Sequence, residues 1–273
     1  MNLYKETRVI TLLNASHMLA DLADWYRVNP ADEPNHPELA TPQTVVCQAL
    51  CVTRPDGVLL IDAPAHEDDP SGATPIPGYT PPPPLETQLQ SAGIGPASIT
   101  HLVITHAHWD HFNGLTQRVN GEDRPIYANA IHYLGRGDWE MIQPTLADPD
   151  SLQSRTLGAI ERAGLLRLVD AETEILSGVR IIPAPGESPG HQIIRMETES
   201  GVLYHVGDLY HHQVEVARPE WACHWAEPTA HHANRRDFLA AALAEDATIL
   251  VSHIAGFGRI RPAGSGMVWE KID

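Results

Sequence analysis

The sequence predicts an α+β fold with layered β-sheets and helices on their outer faces, and three observations indicate it. Apolar runs rich in β-branched residues, bounded by turn residues, occur in both halves of the chain. Segments with helical spacing lie between these runs. Hairpin-type turns join neighbouring runs, which disfavours the regular helical crossovers of a strict βαβ winding. No internal repeat or linker is apparent, so we predict one domain over residues 1–273.

The first half of the chain predicts a hairpin, a helix and a buried strand. Residues 44–53 are rich in β-branched side chains and residues 58–63 (VLLIDA) form a second strand, with the turn signal RPDG between them. Residues 70–84 hold seven prolines and are interpreted as a surface loop. Residues 85–92 have helical character and stop at a glycine. The apolar run 99–105 predicts a buried strand.

The second half predicts further strands and helices from the same signals. Residues 125–129 are expected to form a short strand followed by a helix over 130–142, and residues 152–166 have helical spacing. Residues 234–245 contain strong helix formers. Four later strands share an apolar, β-rich composition with Gly or Pro near their ends: 179–184, 192–197, 202–206 and 249–252.

The composition excludes several classes of protein. Hydrophobic residues make up 42% and charged residues 19%, which is typical of a globular chain. The formal net charge of −17 would repel a phosphate backbone, so we expect a small-molecule substrate and no nucleic-acid partner. No run approaches the ~18 apolar residues of a membrane span, and the N-terminal residues do not resemble a signal peptide. These observations predict a cytoplasmic protein.

The three cysteines are predicted not to form disulfides. Cys47 and Cys51 lie four residues apart in a predicted strand, a separation of about 13 Å at ~3.3 Å per residue. A disulfide requires Cα atoms within roughly 7 Å, and Cys223 has no cysteine near it in sequence. This pattern is typical of a reducing compartment.

The strongest signal in the sequence is a cluster of histidines and an aspartate directly after the predicted strand 99–105. The chain has 16 histidines, and the segment His106-Ala-His108-Trp-Asp110-His111 places four potential metal ligands within six residues. Imidazole and carboxylate groups bind divalent transition metals. One tetrahedral ion cannot use all four and keep an open position. The segment therefore indicates two ions.

Three further residues lie where a strand or a glycine turn ends. His191 follows the dipeptide Pro189-Gly190, Asp208 follows the predicted strand 202–206, and His253 follows the strand 249–252. Each residue alone would more often be part of a capped turn or a core. Together they indicate one rim of a layered sheet structure at which polar side chains gather.

These seven residues resemble the complete ligand pattern of the metallo-β-lactamase superfamily, and the resemblance spans residues 44–262. It implies an αβ/βα sandwich, in which two mixed β-sheets are flanked by helices. Zinc is the default metal because of its availability, while Mn, Fe and Co stay open. The resemblance also implies how the ligands are divided: His106, His108 and His191 hold one ion, Asp110, His111 and His253 hold the other, and Asp208 bridges both.

The resemblance further implies a hydrolase in which two ions about 3.5–4 Å apart turn a shared water into a bridging hydroxide near neutral pH. This hydroxide would attack an electrophilic carbonyl or phosphoryl centre. A catalytic role is assigned to Asp110, Asp208 and His253. Asp62, at the end of the VLLIDA strand, matches a family position and is interpreted as a hydrogen-bond partner of the metal ligands.

Other residues favour one branch of the superfamily. Some lactamases have a cysteine ligand where this chain has Asp110, and flavodiiron proteins have Glu where it has His108. Acyl-homoserine lactonases have a Tyr three residues after the bridging Asp, whereas this chain has His211 there and Tyr210 one position earlier. The resemblance to the lactonase and methyl-parathion-hydrolase-like branch lies in PAPGESPGHQ at 183–192, Gly207-Asp208-Leu209, Arg235-Arg236, 253–260 and 266–269.

The sequence predicts cleavage of an ester-type bond in a lactone or carboxylic ester. A phosphotriester hydrolase, a glyoxalase II-type thioester hydrolase and a non-catalytic metal-binding protein stay open, although the acidic C-terminal region lacks basic residues for glutathione. A homodimer contact through the first 40 residues and the proline-rich loop also stays open. Phe112 is assigned to the core, and His231 and His232 to the solvent-facing side of a helix. The candidate substrate contacts are Trp109, Tyr210, His211, Trp221 and Trp225.

Overall fold

The computed structural model describes residues 9–64, 78–80 and 83–272. Fifteen strands occur in this part of the chain. They are β1 (Val9–Ala20), β2 (Gln43–Arg54), β3 (Gly57–Ile61), β4 (His101–Val103), β5 (Thr116–Val119), β6 (Glu122–Pro125), β7 (Ile131–Gly135), β8 (Leu166–Val169), β9 (Thr173–Leu176), β10 (Val179–Pro183), β11 (Gln192–Thr198), β12 (Gly201–His205), β13 (Thr248–Leu250), β14 (Phe257–Ala263) and β15 (Gly266–Lys271).

The same residues contain eight α-helices and several short 3-10 turns. The α-helices are α1 (Leu22–Tyr26), α2 (Leu85–Ser91), α3 (Trp109–Phe112), α4 (Arg136–Ile142), α5 (Leu152–Arg155), α6 (Leu157–Arg162), α7 (Val214–Ala217) and α8 (Pro228–Ala244). The 3-10 turns are Pro30–Asp32, Pro37–Leu39, Pro96–Ser98 and Thr145–Ala147. No helix in the described ranges is long and apolar enough to cross a bilayer.

The strands form two mixed sheets and one separate hairpin. The first sheet has the order β1-β2-β3-β4-β7-β8, and its last four strands run parallel to one another. The second sheet has the order β15-β14-β13-β12-β11-β10-β9, in which only the β12–β13 pair is parallel. Strands β5 and β6 pair with each other. Two mixed sheets confirm the predicted α+β architecture.

Apolar side chains hold these layers together on both faces of each sheet. In β3, Leu59 and Ile61 pack against Ile194 of the second sheet, whereas Leu60 between them packs in the cluster with Leu89 of α2. Successive side chains of a strand point to opposite faces, so a strand covered on both sides has a continuous apolar run. The VLLIDA segment has this pattern for that reason.

The outer face of the second sheet is covered by α8. Tyr204 of β12 and Ile249 of β13 pack in one cluster with Phe238 and Ala242 of this helix. Helix α2 covers the outer face of the first sheet and α8 covers the outer face of the second. The layers therefore follow the order helix, sheet, sheet, helix, which is the predicted αβ/βα sandwich. Phe112 is fully buried on the α2 side, as predicted. The three cysteines, all within the described ranges, are buried and form no disulfide, also as predicted.

Three predictions in the middle of the chain differ from the structure. The helix expected over 130–142 is strand β7 followed by helix α4, because residues 131–135 pair between the parallel strands β4 and β8. The strand expected at 125–129 is absent, since β6 ends at Pro125. The helical segment 152–166 is interrupted at Thr156 and ends before β8 begins.

Several other elements differ from the predicted pattern. Helix α8 begins at Pro228, six residues earlier than predicted, because the Glu227 side chain accepts the N–H groups of Thr229 and Ala230 and caps its first turn. Most of the proline-rich segment 70–84 lies outside the described residues. Besides β7, the strands that were not predicted from the sequence are β1, β5, β6, β8, β9, β14 and β15.

Candidate metal centre

The predicted ligands lie at one edge of the sandwich because parallel strands end there. The carboxyl ends of parallel strands meet at the same sheet edge. Residues 106–111 follow β4, Asp208 follows β12, and His253 follows β13. The turn at Gly207 has a φ of 53° and lies against a ligand ring, since a Cβ there would be 2.8 Å from Nε2 of His191.

Asp208 is the centre of the cluster. Its Oδ2 lies 3.0 Å from Nε2 of His253, 3.4 Å from Nε2 of His111 and 3.6 Å from Nε2 of His106. His211 also directs Nε2 to this oxygen, at 3.4 Å. Nitrogens of four histidines from three separate parts of the chain therefore converge on one buried carboxylate oxygen.

The other predicted ligands surround this carboxylate. Nε2 of His106 and Nδ1 of His108 are 2.8 Å apart. Asp110 lies on the other side, with Oδ2 3.4 Å from Nε2 of His253 and Oδ1 3.7 Å from Nε2 of His111. The ring of His191 is 5.3 Å from that of His106, and its Nε2 accepts the backbone N–H of Asp208 at 3.1 Å. The structure thus brings all seven predicted ligands together.

Hydrogen bonds to surrounding oxygen atoms orient three of the imidazoles. Nδ1 of His253 donates to the Val46 carbonyl at 2.7 Å, and Nδ1 of His191 donates to the Ala184 carbonyl at 3.0 Å. Nδ1 of His111 lies 2.9 Å from Oδ2 of Asp62. Each bond fixes the ring and leaves Nε2 facing the cluster, which is how proteins prepare histidine for a metal.

Asp62 supports the HAHWDH loop as well as His111. Its Oδ1 accepts the N–H of Thr105 at 2.7 Å and its Oδ2 accepts the Thr105 hydroxyl at 2.9 Å. Asp62 is 1% exposed and has a φ of 60°. Its carboxylate therefore satisfies three donors from a constrained backbone position behind the cluster.

The cluster has the properties expected of a divalent-cation site. Buried polar atoms are costly unless they are hydrogen-bonded or coordinate a metal. Nε2 of His111 and Oδ1 of Asp208 have no hydrogen-bond partner within the described residues. The donor set of imidazoles and carboxylates matches the preferences of divalent transition metals. These residues therefore fit a bound cation.

The histidines fall into two groups by pKa. Burial and the neighbouring His111 hold the pKa of His106 well below its usual range, and burial lowers the pKa of His191. Burial alone would also lower the pKa of His253, but Asp208 raises it well above its usual range. Burial likewise acts to lower the pKa of His111, but Asp208 and Asp110 outweigh it and raise that pKa well above its usual range. A divalent cation bound at the cluster would compete with protons for the nitrogens of His253 and His111.

The candidate substrate contacts separate into two sets. His211 is buried beside Asp208, and Trp225 is 40% exposed with its ring against His211. Trp109 is half-buried in α3, and its ring packs edge-on against Tyr79. His211 and Trp225 therefore lie at or next to the cluster, and Trp109 lies in the helix that carries Asp110 and His111; their contact with substrate stays a prediction.

Tyr210 and Trp221 have other neighbours. The ring of Tyr210 packs near Phe238 and below the guanidinium of Arg235, because it points to α8 while Asp208 and His211 point to the cluster. Trp221 stacks on Tyr26. We therefore revise the prediction that these two side chains contact substrate. His231 is also corrected, since it is fully buried rather than solvent-facing, whereas His232 is partly buried.

Sequence reasoning missed two buried acids at this site. Asp138 of α4 accepts N–H groups of Ala107 and Gly190, both at 2.6 Å, and the Ser188 hydroxyl at 2.9 Å, so it ties the HAHWDH loop to the turn before His191. Nothing in its local sequence distinguishes it. Glu187 lies within the PGESPGHQ turn, where an acid between glycines and prolines next to a ligand was a usable signal.

Comparison with known proteins agrees with this geometry. The family model described as the metallo-beta-lactamase superfamily matches residues 44–253, more than half of the chain. The chain belongs to the metallo-beta-lactamase superfamily. The superfamily match begins at the start of β2 and ends at His253, so it includes all seven predicted ligands.

Curated relatives match over part of their length. An N-acyl homoserine lactonase of Bacillus cereus is 26% identical over 119 residues, which are 44% of this chain and 41% of the relative. An N-acyl homoserine lactonase of a Bacillus species is 25% identical over 111 residues, 41% of this chain and 38% of the relative. The aligned part of this superfamily member thus spans less than half of either relative.

Solved structures match over nearly the whole chain. A probable metal-dependent hydrolase from Staphylococcus aureus has a TM-score of 0.80 at 19% identity, covering 97% of both chains. AidC, described as a dizinc quorum-quenching lactonase with a bound product, has a TM-score of 0.77 at 19% identity, covering 97% of this chain and 94% of its own. At these identities the matches establish the superfamily fold.

Proposed function

We propose that this protein is a metal-dependent hydrolase that cleaves the ester bond of a lactone or carboxylic ester. The observation that carries the proposal is the convergence of His106, His111 and His253 nitrogens within 3.6 Å of Oδ2 of Asp208. The partial matches to N-acyl homoserine lactonases and the fold shared with a dizinc lactonase support this substrate class. The superfamily membership of the chain supports hydrolysis.

The proposed ligand assignment follows the arrangement around Asp208. The first metal position comprises His106, His108, His191 and Asp208. Asp110, His111, His253 and Asp208 would hold the second ion, so Asp208 would contribute to both positions. We propose zinc at both positions, because a shared fold with a dizinc enzyme and a mixed imidazole and carboxylate donor set both favour it.

The bound cations would supply two things, namely activation of water near neutral pH and polarisation of the scissile carbonyl. The chain supplies the positioning. Asp62 and Val46 fix the rings of His111 and His253. Asp110 places one oxygen 3.4 Å from His253 and is the group proposed to accept a proton during turnover.

Substrate orientation is proposed to depend on His211. Its Nε2 is 3.4 Å from Oδ2 of Asp208, so a donor at this nitrogen would reach an ester oxygen that approaches the cluster. The half-exposed Trp225 packs on His211 and would provide apolar surface at the entrance. A small ester could thus be held between the ligand cluster and an aromatic rim.

Hydrolysis of a substrate panel before and after removal of metal tests the proposal. We expect turnover of a γ-lactone and an aryl carboxylic ester, its loss after treatment with a chelator, and its recovery when Zn²⁺ is added. Chelator-insensitive turnover would contradict the metal-dependent mechanism. Faster hydrolysis of a phosphotriester or of S-lactoylglutathione would replace the proposed substrate class with one of those two.

A further inference from the structure

The carboxylate of Glu187 lies beside the residues proposed for the first metal position, and no role was predicted for it. One ligand atom from each of His106, His108, Glu187 and Asp208 lies within 4.8 Å of all the others. Oε1 of Glu187 is 3.4 Å from Nδ1 of His108. The side chain therefore stands beside the same imidazole nitrogen that faces His106.

Glu187 is buried, and its charge is balanced mainly by imidazoles. It is 3% exposed, and its Oε1 lies 3.4 Å from Nε2 of His211 as well as from His108. Its second oxygen, Oε2, has no hydrogen-bond partner within the described residues. An ionised carboxylate in such surroundings is costly unless it is paired or coordinates a metal. The unsatisfied oxygen is thus the kind of atom that a cation would complete.

A hydrogen bond from Trp225 holds the carboxylate in place. Nε1 of Trp225 donates to Oε1 of Glu187 at 2.5 Å, and the Trp225 ring packs edge-on against His211. A neutral glutamine oxygen could accept this bond equally well, so anchoring Trp225 does not require a buried negative charge. The same carboxylate faces His211 and His108 through Oε1 and leaves Oε2 without a partner among the described residues, so it keeps an oxygen free for a cation beside His108.

We propose that Glu187 is a further carboxylate ligand at the first metal position, beside His106, His108 and Asp208. This inference rests on the ligand assignment of the proposed function. A second carboxylate makes the position more anionic and richer in oxygen donors. Such a position binds harder ions such as Mn²⁺ more favourably than a position built mainly from imidazoles does. Glu187 would thereby influence which ion the first position selects.

Metal titration of the metal-free protein tests this inference without reference to turnover. Glu187→Gln keeps the size of the side chain and an acceptor for Trp225, and removes the charge. We expect it to weaken the binding of one of the two ions by roughly 10–100-fold, measured by competition with a chromophoric chelator. We expect a larger loss for Mn²⁺ than for Zn²⁺, because the lost donor is a hard oxygen.

Two matched variants separate coordination from positioning. Glu172→Gln removes one carboxylate from an exposed ion pair with Arg180, so it should leave both affinities unchanged. Trp225→Phe removes the hydrogen bond but keeps the Glu187 charge, and should leave the first ion within about threefold of wild type. Equal weakening by Trp225→Phe and Glu187→Gln would overturn the proposal, because Glu187 would then act only through Trp225.

The remaining outcomes are also decisive. Unchanged affinity in Glu187→Gln, with wild type binding two ions, overturns the role of Glu187 and leaves the proposed function intact. A wild-type protein that binds no divalent ion overturns the ligand assignment itself. A crystal structure of the zinc-loaded protein gives the direct test, since coordination requires an Oε–Zn distance of about 2.0–2.2 Å. A melting curve of each metal-free variant by circular dichroism establishes that it is folded.

Discussion

Nε2 of His253 lies 3.0 Å from Oδ2 of Asp208, and these two residues come from the ends of neighbouring parallel strands. Strand pairing between β12 and β13 places both residues at one edge of the second sheet. The hydrogen bond from Nδ1 of His253 to Val46, at the start of β2, then connects this edge to the first sheet. The candidate metal centre is thus built where the two sheets meet.

The first prediction concerns the bridging role of Asp208. Asp208→Ala should reduce the metal content from two ions per chain to one or none, because Oδ2 is the atom on which nitrogens of both metal positions converge. Elemental analysis of the purified protein measures this content. Asp246→Ala, which removes an exposed carboxylate paired with Arg259 and Arg261, should retain two ions. Two ions in Asp208→Ala would refute the bridging assignment.

The second prediction concerns the carboxylate behind His111. Asparagine tolerates the positive φ of this position, so Asp62→Asn should not strain the backbone. In the wild type, Oδ1 accepts the Thr105 N–H, and Oδ2 accepts the Thr105 hydroxyl and faces Nδ1 of His111. The asparagine amide has only one oxygen, so it cannot accept at both of these places. We expect metal affinity to fall by roughly 10–100-fold and the free energy of unfolding to fall by about 1–3 kcal/mol. Competition titration and urea unfolding measure the two effects.

An exposed aspartate provides the control for Asp62. Asp170 pairs with Arg136 at the surface, so Asp170→Asn should alter neither metal affinity nor unfolding by a measurable amount. If Asp62→Asn binds metal as tightly as Asp170→Asn, the orientation of His111 does not depend on Asp62.

The candidate ligands could be predicted because their signals are local. His253 follows the apolar run ILVS and Asp208 follows VLYHV, so each polar residue marks the end of a buried strand. The compact spacing of His106, His108 and His111 is visible without any tertiary information. The two-sheet architecture could be predicted for a similar reason, since strands covered on both faces have continuous apolar runs.

Features that depend on distant residues could not be predicted. Residues 131–135 form a strand because they pair with β4 on one side and with β8 on the other. Helix α4 begins at the next residue, so no turn in the local sequence separates the strand from the helix. Tyr210 and His211 are adjacent in sequence, and only the packing of α8 decides which of them faces Asp208. The role inferred for Glu187 likewise depends on a distant residue, since its Oε1 lies 3.4 Å from Nδ1 of His108 in another segment of the chain.

The third prediction concerns the turn that presents His191. A Cβ at Gly190 would lie 2.4 Å from the backbone nitrogen of Asp138 and 2.8 Å from the Gly135 carbonyl oxygen, so backbone atoms must move to accommodate it. Gly190→Ala should lower the free energy of unfolding by about 1–3 kcal/mol, measured by urea denaturation. Gly266→Ala is the matched control, because its Cβ would have no heavy atom within 4 Å. Equal stability of the two variants would contradict the tight packing.

The fourth prediction is a pH dependence that arises away from the candidate metal centre. His132 of β7 is fully buried, its Nδ1 donates to the Ala130 carbonyl at 3.0 Å, and its Nε2 has no partner within the described residues. Burial lowers the pKa of His132 to about 4, against a reference value of 6.5. The folded state therefore keeps this ring neutral at a pH where the unfolded chain binds a proton.

The sign of the effect follows from this difference in proton binding. Above about pH 6.5 the ring is neutral in both states, so the protein has its full stability with respect to this residue. As the pH falls from about 6.5 toward 4, the unfolded chain binds a proton at His132 before the folded chain does, and the free energy of unfolding decreases. His132 should thus cost about 2 kcal/mol of stability between about pH 7 and pH 5, since one pKa unit corresponds to about 1.4 kcal/mol. In His132→Asn, urea unfolding of the metal-free protein should show a fall between these pH values that is smaller by this amount. An identical fall in variant and wild type would mean that His132 is protonated in the folded protein at these pH values.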